Sequence, residues 1–235
     1  MDNILISGAP NTGKSIIANS LSYIVDLPIV KSRTYSEVSF EYNLNKNVLS
    51  LGFNDLFTVG FSNFTDRTQL EYRYQNGFIS DGSIINDLIS MKLYLSEKSQ
   101  ITHKIFKWIS NKRYINECLK MLNSFERLVI AYSKNQYYSI IHLETTINSK
   151  ISGNDAMNVH IEKYNQELIL FYKRAGLQYT QHSNQDFIEI LEQIVLDKNL
   201  KTIISPSNAL LRAFDEMHIG NLNNPVINTN LLLHD

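Results

Sequence analysis

The first 25 residues change from an apolar run to a short polar segment and then to a second apolar pattern with a different period. Residues 3–7 read Asn-Ile-Leu-Ile-Ser, a run of the kind that forms a short buried strand. The apolar residues that follow at helical spacing are Ile16, Ile17, Leu21, Ile24 and Val25. The segment between them contains two glycines and one proline. The pattern therefore predicts a strand, a glycine-rich loop and a helix in immediate succession.

The same alternation continues to about residue 200. Further apolar segments predict strands at 28–33, 78–80, 138–143 and 177–180. Helical spacing predicts helices at 62–75, 84–93, 103–134, 159–175, 187–196 and 208–217. Residues 36–60 mix both periods and predict loops and short helices, whereas the polar segment 145–158 predicts a mobile loop. Because strands that alternate with helices form a parallel sheet covered on both faces, we expect one α/β domain over residues 1–200, followed by a C-terminal helix and tail at 201–235.

Composition narrows the class of protein further. Of the 235 residues, 43% are hydrophobic and 19% are charged, which is enough apolar material for a buried core. The net charge of −1 argues against a general nucleic-acid binder, which needs a basic face. No apolar run is long enough to span a membrane, and the acidic start is unlike a secretion signal, so we expect a cytoplasmic protein. Cys118 is the single cysteine, and its apolar neighbours predict a packed core thiol rather than a disulfide or a zinc ligand.

The loop that follows the first strand has the composition of a phosphate-binding site. Residues 8–15 read G-x-x-x-x-G-K-S, the pattern of a P-loop, and they lie between a predicted strand and a predicted helix. Glycines allow the backbone to approach phosphates closely, and the loop amides with the helix N-terminus favour an anion. We expect Lys14 to neutralise the β- and γ-phosphates as a catalytic residue, and the Ser15 hydroxyl to ligate Mg²⁺. The predicted nucleotide-binding residues are Gly8, Ala9, Pro10, Asn11, Thr12, Gly13, Lys14, Ser15 and Ile16. The alternatives are a chance occurrence of the pattern and a P-loop that no longer turns over nucleotide.

Asp81 is the second candidate catalytic residue. It ends a strand that we expect to lie beside the P-loop strand, and ligands bind at the carboxyl ends of such strands. Its carboxylate could accept the proton of an acceptor hydroxyl, or it could hold Mg²⁺ through water. The alternative is an N-cap for the helix that begins near Ser83, since aspartate is a favoured cap residue.

These segments together resemble the P-loop kinases of small molecules. The resemblance is carried by the P-loop, by the segment from Phe78 to Asp87, by Gln69 and Glu71 in the preceding helix, and by residues 158–183. It is nearest to the AAA-type ATPase/kinase-like domains related to nicotinamide riboside kinase, within the nucleoside and nucleotide kinases. It implies a three-layer fold with a five-stranded parallel sheet in the order 2-3-1-4-5. It also implies ATP with Mg²⁺ and transfer of a γ-phosphoryl group to a small acceptor.

The sequence departs from that family at two places. Gly82 follows Asp81 where the family carries an arginine, so a cation near the acceptor is missing. The predicted lid at 145–158 contains no arginine, and the nearest basic candidates are Lys150 and His160. Lid arginines stabilise charge on the transferring phosphoryl group, so their absence predicts slower turnover.

Four residues are candidates for binding the acceptor. Arg33 ends the second predicted strand, where related enzymes hold the acceptor, and its alternative role is a surface salt bridge. Arg67 and Glu71 lie four residues apart on one predicted helix, where a surface ion pair is the simpler interpretation. Asp87 lies within the helix that follows Asp81, where the alternative is a solvated side chain.

Two functions of different classes follow from these residues. The first is an ATP- and Mg²⁺-dependent kinase of a small, nucleoside-like or other metabolite. The second is an ATP-binding regulatory or assembly protein with weak ATPase activity, which the arginine-free lid favours. The expected partners are a small-molecule acceptor and a second copy of the chain in a homodimer, with neither nucleic acid nor membrane.

Overall fold

The computed structural model describes residues 2–31, 33, 37–38, 41, 52–102, 108–144, 155–183 and 186–222. The strands are β1 (Asp2–Gly8), β2 (Ile29–Lys31), β3 (Gly77–Asp81), β4 (Ser139–Leu143) and β5 (Tyr179–His182). The helices in the described ranges are α1 (Lys14–Val25), α2 (Phe53–Arg73), α3 (Ile84–Thr102), α4 (Trp108–Gln136), α5 (Asp155–Ala175), α6 (Phe187–Asp197) and α7 (Pro206–Leu222). No helix in these ranges is both long and apolar enough to cross a membrane.

All five strands are parallel and lie in the order β2-β3-β1-β4-β5, which confirms the predicted fold class and strand order. Register places Ile6 of β1 opposite Asp81 of β3 and opposite Ile141 of β4. Asp81 in turn lies opposite Lys31 at the end of β2. Strand β1 lies between β3 and β4, so the strand order reverses on either side of it. In sheets of this kind, ligands bind at the carboxyl ends of the strands where the order reverses. The loop after β1 lies at that point.

Two apolar clusters on opposite faces of the sheet make up the core. Ile4 and Ile6 of β1 belong to the cluster that contains α1 and α6, whereas Leu5 belongs to the cluster that contains α2 to α5. This alternation is the two-residue period of a strand that is buried on both faces. Cys118 is buried in the second cluster, as a packed core thiol.

The largest error in the sequence prediction concerns α2. The helix begins at Phe53, so the last third of the segment predicted as loops and short helices, 36–60, is helical. The buried residues of the missed part are Phe53, Leu56, Val59 and Gly60, and the glycine, a poor helix former, interrupts the helical apolar spacing on which the prediction depends. Most of residues 36–51 lie outside the described residues.

Other boundaries also differ from the prediction, and the largest of these differences is the end of α3, which lies at Thr102 rather than at Leu93. Helix α5 begins at Asp155, so the end of the predicted lid is helical, and residues 145–154 lie outside the described residues. Strand β5 begins at Tyr179 rather than at Leu177, because Gly176 ends α5 in the left-handed conformation at φ 63° and Leu177 packs into the core. Helix α7 extends to Leu222, and the predicted tail that follows lies outside the described residues.

Candidate active site

The P-loop connects β1 directly to α1, as its residue pattern requires. Gly8 has φ 150°, Asn11 has φ 64° and Gly13 has φ 80°, which are conformations that glycine and asparagine adopt most readily. The Thr12 hydroxyl donates to the Ala9 carbonyl at 2.9 Å within the loop. No side chain caps the N-terminus of α1, so its first amides are available to an anion.

Position 13 requires a glycine for two reasons, its positive φ angle and the close approach of Phe187. A Cβ at this position would lie 2.5 Å from Cε1 of Phe187, the first residue of α6. The glycine therefore lets α6 pack directly against the phosphate loop. Gly176 offers a matched comparison, since it has φ 63° with no atom within 4 Å of its Cβ position.

We expect Gly13→Ala to lose about 1–3 kcal/mol more stability than Gly176→Ala, because only Gly13→Ala adds a clash to the strained backbone. Gly13→Ala should also weaken ATP binding, whereas Gly176→Ala should not. Urea unfolding measures the first difference and calorimetry with ATP measures the second. Equal losses of stability in the two variants would contradict the contact between Gly13 and Phe187.

Lys14, the first residue of α1, is half-buried. Its Nζ donates to the Ala9 carbonyl at 2.5 Å. Burial lowers the pKa of Lys14 to about 8, and the nearby Asp81 carboxylate opposes that shift. The side chain therefore stays mainly cationic at neutral pH. Ser15 follows it in the first turn of α1, half-buried.

Asp81 lies at the carboxyl end of β3, close enough to Lys14 to influence its pKa. The helix-cap alternative for Asp81 is wrong, because Ser83 has that role. The Ser83 hydroxyl accepts from the amide of Ile85 at 3.1 Å, and the side chain of Asn86 accepts from the amide of Ser83 at 3.0 Å. Asp81 is therefore not the cap of α3, and its role in the site stays a prediction.

Arg67 and Glu71 are 2% and 1% exposed, so the alternative of a surface ion pair is wrong. Arg67 Nη1 lies 3.6 Å from Glu71 Oε1. Arg67 also donates to the carbonyls of Gly82 at 2.7 Å and Asp81 at 3.1 Å. The pair therefore lies beneath the candidate catalytic carboxylate, facing the turn that carries it.

Asp87 is 7% exposed, so the alternative of a solvated residue is also wrong. Within the described part of the chain, its Oδ2 has no partner at hydrogen-bond geometry, and neither amide atom of the 4% exposed Asn63 has one. The Asn63 side chain is nonetheless close enough to Asp87 to oppose part of the rise in its pKa. Burial raises the pKa of Asp87 to about 7, against the opposing charge of Arg67. Gly60 permits this close approach of α2 and α3, since a Cβ there would lie 2.8 Å from Met91 Cε and 3.8 Å from Asp87 Cβ. Buried polar atoms without partners are uncommon in folded proteins and are expected where a ligand supplies the partner.

A cleft of about 340 Å³ opens between the end of β2 and α2. Asn63 and Arg67 are its buried walls, and Lys31 and Arg33 lie at the strand end. The other lining residues are Glu41, Ser62, Asp66, Gln69, Leu70 and Arg73. The cleft is therefore adjacent to the turn after β3 and is well placed for a small molecule.

Comparison with known proteins gives matches in structure alone. No protein-family model matches the sequence, and no curated protein does. The deoxyadenosine kinase from M. mycoides with bound dATP is 16% identical with a TM-score of 0.53, over 85% of this chain and 100% of that chain. A NadR protein in complex with NAD and AMP-PNP is 14% identical with a TM-score of 0.55, and this chain covers 49% of it. A NadR protein in complex with NR is 14% identical with a TM-score of 0.58, over 86% of this chain and 53% of that one.

The fold is that of a P-loop kinase of small molecules. This confirms the resemblance drawn from the P-loop and the segment that ends at Asp87. The chain spans the full length of the deoxyadenosine kinase and about half the length of NadR. At identities of 14–16%, the likeness establishes the architecture, and the chemistry has to be argued from the residues of this chain.

Arg33 lies just after the end of β2 and lines the cleft, as expected for a residue near the acceptor, but its side chain is paired with protein carboxylates. Its guanidinium forms ion pairs with Glu41 and Asp66 on the cleft wall. The alternative of a salt bridge therefore describes the contacts of Arg33, and contact with an acceptor stays a prediction.

The lid residues are only partly described. Lys150 lies outside the described residues, and His160 is half-buried in α5. Both stay predictions as lid residues that contact nucleotide.

Sequence reasoning missed Asn63, Tyr132 and Tyr137. The two tyrosine hydroxyls donate to Glu71 at 2.6 Å and 2.9 Å. A signal for Asn63 was present, since Asn63, Arg67 and Glu71 follow each other at intervals of four along one helix face. A polar stripe of this kind beside apolar residues indicates a buried polar face. The tyrosines gave no such signal, because they lie on a different part of the chain.

Proposed function

We propose that this protein transfers the γ-phosphoryl group of Mg²⁺-ATP to a hydroxyl group of a small, nucleoside-like acceptor. The observation that carries the proposal is the Asp81 carboxylate at the end of β3, the strand beside the P-loop strand, where it lies near the Lys14 cation and beside a cleft with buried polar walls. The P-loop suits the phosphates, and the cleft suits the acceptor.

The nucleotide side of the site rests on the loop amides and Lys14. Lys14 would neutralise the phosphate oxygens, and the loop would hold them in line with the acceptor. The donor set also fits Mg²⁺, which takes few protein oxygens and keeps phosphates and waters as its other ligands. Ser15 Oγ would hold the ion directly and the Asp81 carboxylate would hold it through water, and the ion would neutralise charge on the phosphates. The described residues contain no cluster of three or more histidine, cysteine or carboxylate side chains, so a metal held by protein alone finds no site there.

The acceptor side of the site rests on Asp81. Its carboxylate would take the proton of the acceptor hydroxyl as the hydroxyl oxygen bonds to the γ-phosphorus. The bond between that phosphorus and the β,γ-bridging oxygen breaks, and ADP leaves with the bridging oxygen. Asn63 and Asp87 would contact polar groups on the remainder of the acceptor, since one can donate and accept and the other, when ionised, accepts.

The test is a panel of acceptors with Mg²⁺-ATP. Because the similar structures include a deoxyadenosine kinase and a NadR protein with NR, the panel should contain deoxyadenosine, other nucleosides, nicotinamide riboside and polyols. We expect one nucleoside-like acceptor to raise ADP release well above the rate with water alone, with a phosphorylated product in the mass spectrum. If every acceptor leaves the rate unchanged, the alternative function as an ATP-binding regulatory or assembly protein with weak ATPase activity replaces the proposal.

Asp87→Asn should separate acceptor binding from stability. The folded-state pKa of Asp87, about 7, lies above its ordinary value of 3.8, so its ionisation destabilises the fold as the pH rises from about 4 to above 7. The asparagine variant should therefore melt several degrees higher than the original at pH 8, and the difference should vanish near pH 4. Loss of a buried acceptor for the ligand should raise the KM of the acceptor about tenfold or more and leave the Kd of ATP unchanged.

The exposed carboxylate Asp215 supplies the control, since Asp215→Asn should alter neither quantity. A variant at Asp87 with unchanged acceptor KM would remove this residue from the acceptor site. A melting temperature that falls at pH 8 would contradict the assigned cost of its burial.

A further inference from the structure

The turn between β3 and α3, which carries Asp81, is held from two sides. The amide of Gly82 donates to the carbonyl of Ile6 at 2.9 Å, which ties the turn to the strand of the P-loop. On the other side, Arg67 Nη1 donates to the carbonyl of Gly82 and Arg67 Nη2 donates to the carbonyl of Asp81. The guanidinium therefore fixes the two successive peptide groups that follow the Cα of Asp81.

Arg67 is itself held by a buried set of acceptors and donors. It donates to the Ser80 hydroxyl, which donates to Glu71 Oε1 at 3.0 Å. Tyr137 donates to the same carboxylate oxygen at 2.9 Å, and Tyr132 donates to the other at 2.6 Å. Both carboxylate oxygens of Glu71 are thus occupied, and its charge is matched by Arg67 at 3.6 Å.

Stability alone gives little reason for such a cluster. Desolvating two charges costs free energy that their attraction only partly offsets, and well-packed apolar residues of similar size often serve a core as well or better. The arrangement does provide a fixed direction, since a planar guanidinium donates in a rigid fork to acceptors on either side. Here the guanidinium donates to the backbone carbonyls of Asp81, the candidate catalytic residue, and of Gly82.

We propose that Arg67 is a positioning residue for phosphoryl transfer, which acts through the backbone of Asp81 and Gly82 and is held in place by Glu71, Tyr132 and Tyr137. The inference rests on the proposed function of Asp81. It also accounts for Gly82, because a cation reaches the turn from α2 instead of from the residue after Asp81. That cation contacts the backbone of the turn and thereby orients the Asp81 carboxylate.

Arg67→Lys is the primary test, because lysine keeps a charge for Glu71 but cannot donate to both carbonyls as the guanidinium does. The probe is Mg²⁺-ATP with water as acceptor, followed as ADP release. We expect the rate to fall about 10²-fold, the loss that a misplacement of about 1 Å produces, with the Kd of ATP unchanged by calorimetry. Arg127→Lys, at an exposed position on α4, is the matched control and should leave the rate unchanged.

A double-mutant cycle with Asp81→Asn distinguishes positioning from general damage. If Arg67 acts through Asp81, Arg67→Lys should cost little further rate in the Asp81→Asn background. Equal fold losses in both backgrounds would overturn the proposal. If Arg67→Lys does not fold, Tyr137→Phe takes its place in the same cycle, with a smaller loss expected because only one hydrogen bond to Glu71 is removed.

Hydrogen exchange separates this inference from the proposed function. The amide of Gly82, which donates to the Ile6 carbonyl, should exchange faster in Arg67→Lys than in the original protein. The reason is that the carbonyl of Gly82 loses its guanidinium donor on α2, so the turn is held less firmly. Absence of ADP release from the original protein, with water and with every acceptor of the panel, would defeat the proposed function, and the positioning role with it. If the original protein releases ADP but the Gly82 amide exchanges equally fast in it and in Arg67→Lys, the positioning role of Arg67 is overturned and the proposed function stands.

Discussion

Replacing Lys14 with alanine is expected to abolish turnover of Mg²⁺-ATP and to weaken ATP binding about 10- to 100-fold, the range for losing one hydrogen bond from a charged group. Lys14 is the cation at the start of α1, and its Nζ reaches into the loop that would hold the phosphates. Calorimetry measures the binding loss, and ADP release measures the activity.

The pH dependence of ATP binding provides an internal check on Lys14. Its pKa of about 8 means that the cation is lost as the pH rises past that value, so ATP affinity of the original protein should decline above pH 8. Lys14→Ala should lack that decline. Lys120→Ala, which removes a 73% exposed lysine on α4, should behave like the original protein. A folded Lys14→Ala protein with full ATP affinity and activity would contradict the nucleotide site.

Asp81→Asn should lower turnover about 10²- to 10⁴-fold, the range for losing a positioned base, while ATP still binds. The change keeps the shape of the side chain and removes its charge. Because Ser83 caps α3, the variant should unfold at nearly the same urea concentration as the original protein. Loss of the Asp81 charge should also lower the pKa of Lys14 further, since that carboxylate now opposes the effect of burial.

Two comparisons decide the role of Asp81. Asp215→Asn is the control for an aspartate-to-asparagine change on the surface, and it should retain full activity. Turnover of Asp81→Asn equal to that of the original protein would mean that the acceptor proton leaves by another route. It would also remove the basis of the positioning role of Arg67.

The sequence by itself determined the architecture around the nucleotide. Gly8, Gly13 and Lys14 can be assigned to a P-loop from the sequence alone, because a P-loop is built from consecutive residues between one strand and one helix. The strands and most helices were predicted from apolar spacing, which reports burial along a single element. The strand order came from the family resemblance and is confirmed by the sheet. Asp81 could be proposed as a site residue because a strand end can be predicted from the same spacing.

Only the tertiary structure decided what the polar residues of α2 and α3 contact. From the sequence alone, a surface ion pair is the simpler interpretation of Arg67 and Glu71, a solvated helix residue is the alternative for Asp87, and Asn63 is not identified as a site residue. They are buried because α2 packs against α3 and because Tyr132 and Tyr137, more than 60 residues away, close over Glu71. The free energy of a charged side chain depends on which partners surround it, and those partners come from distant parts of the chain. The spacing of residues along one helix does not identify these distant partners. The packing of separate elements therefore determines which polar residues face the candidate site.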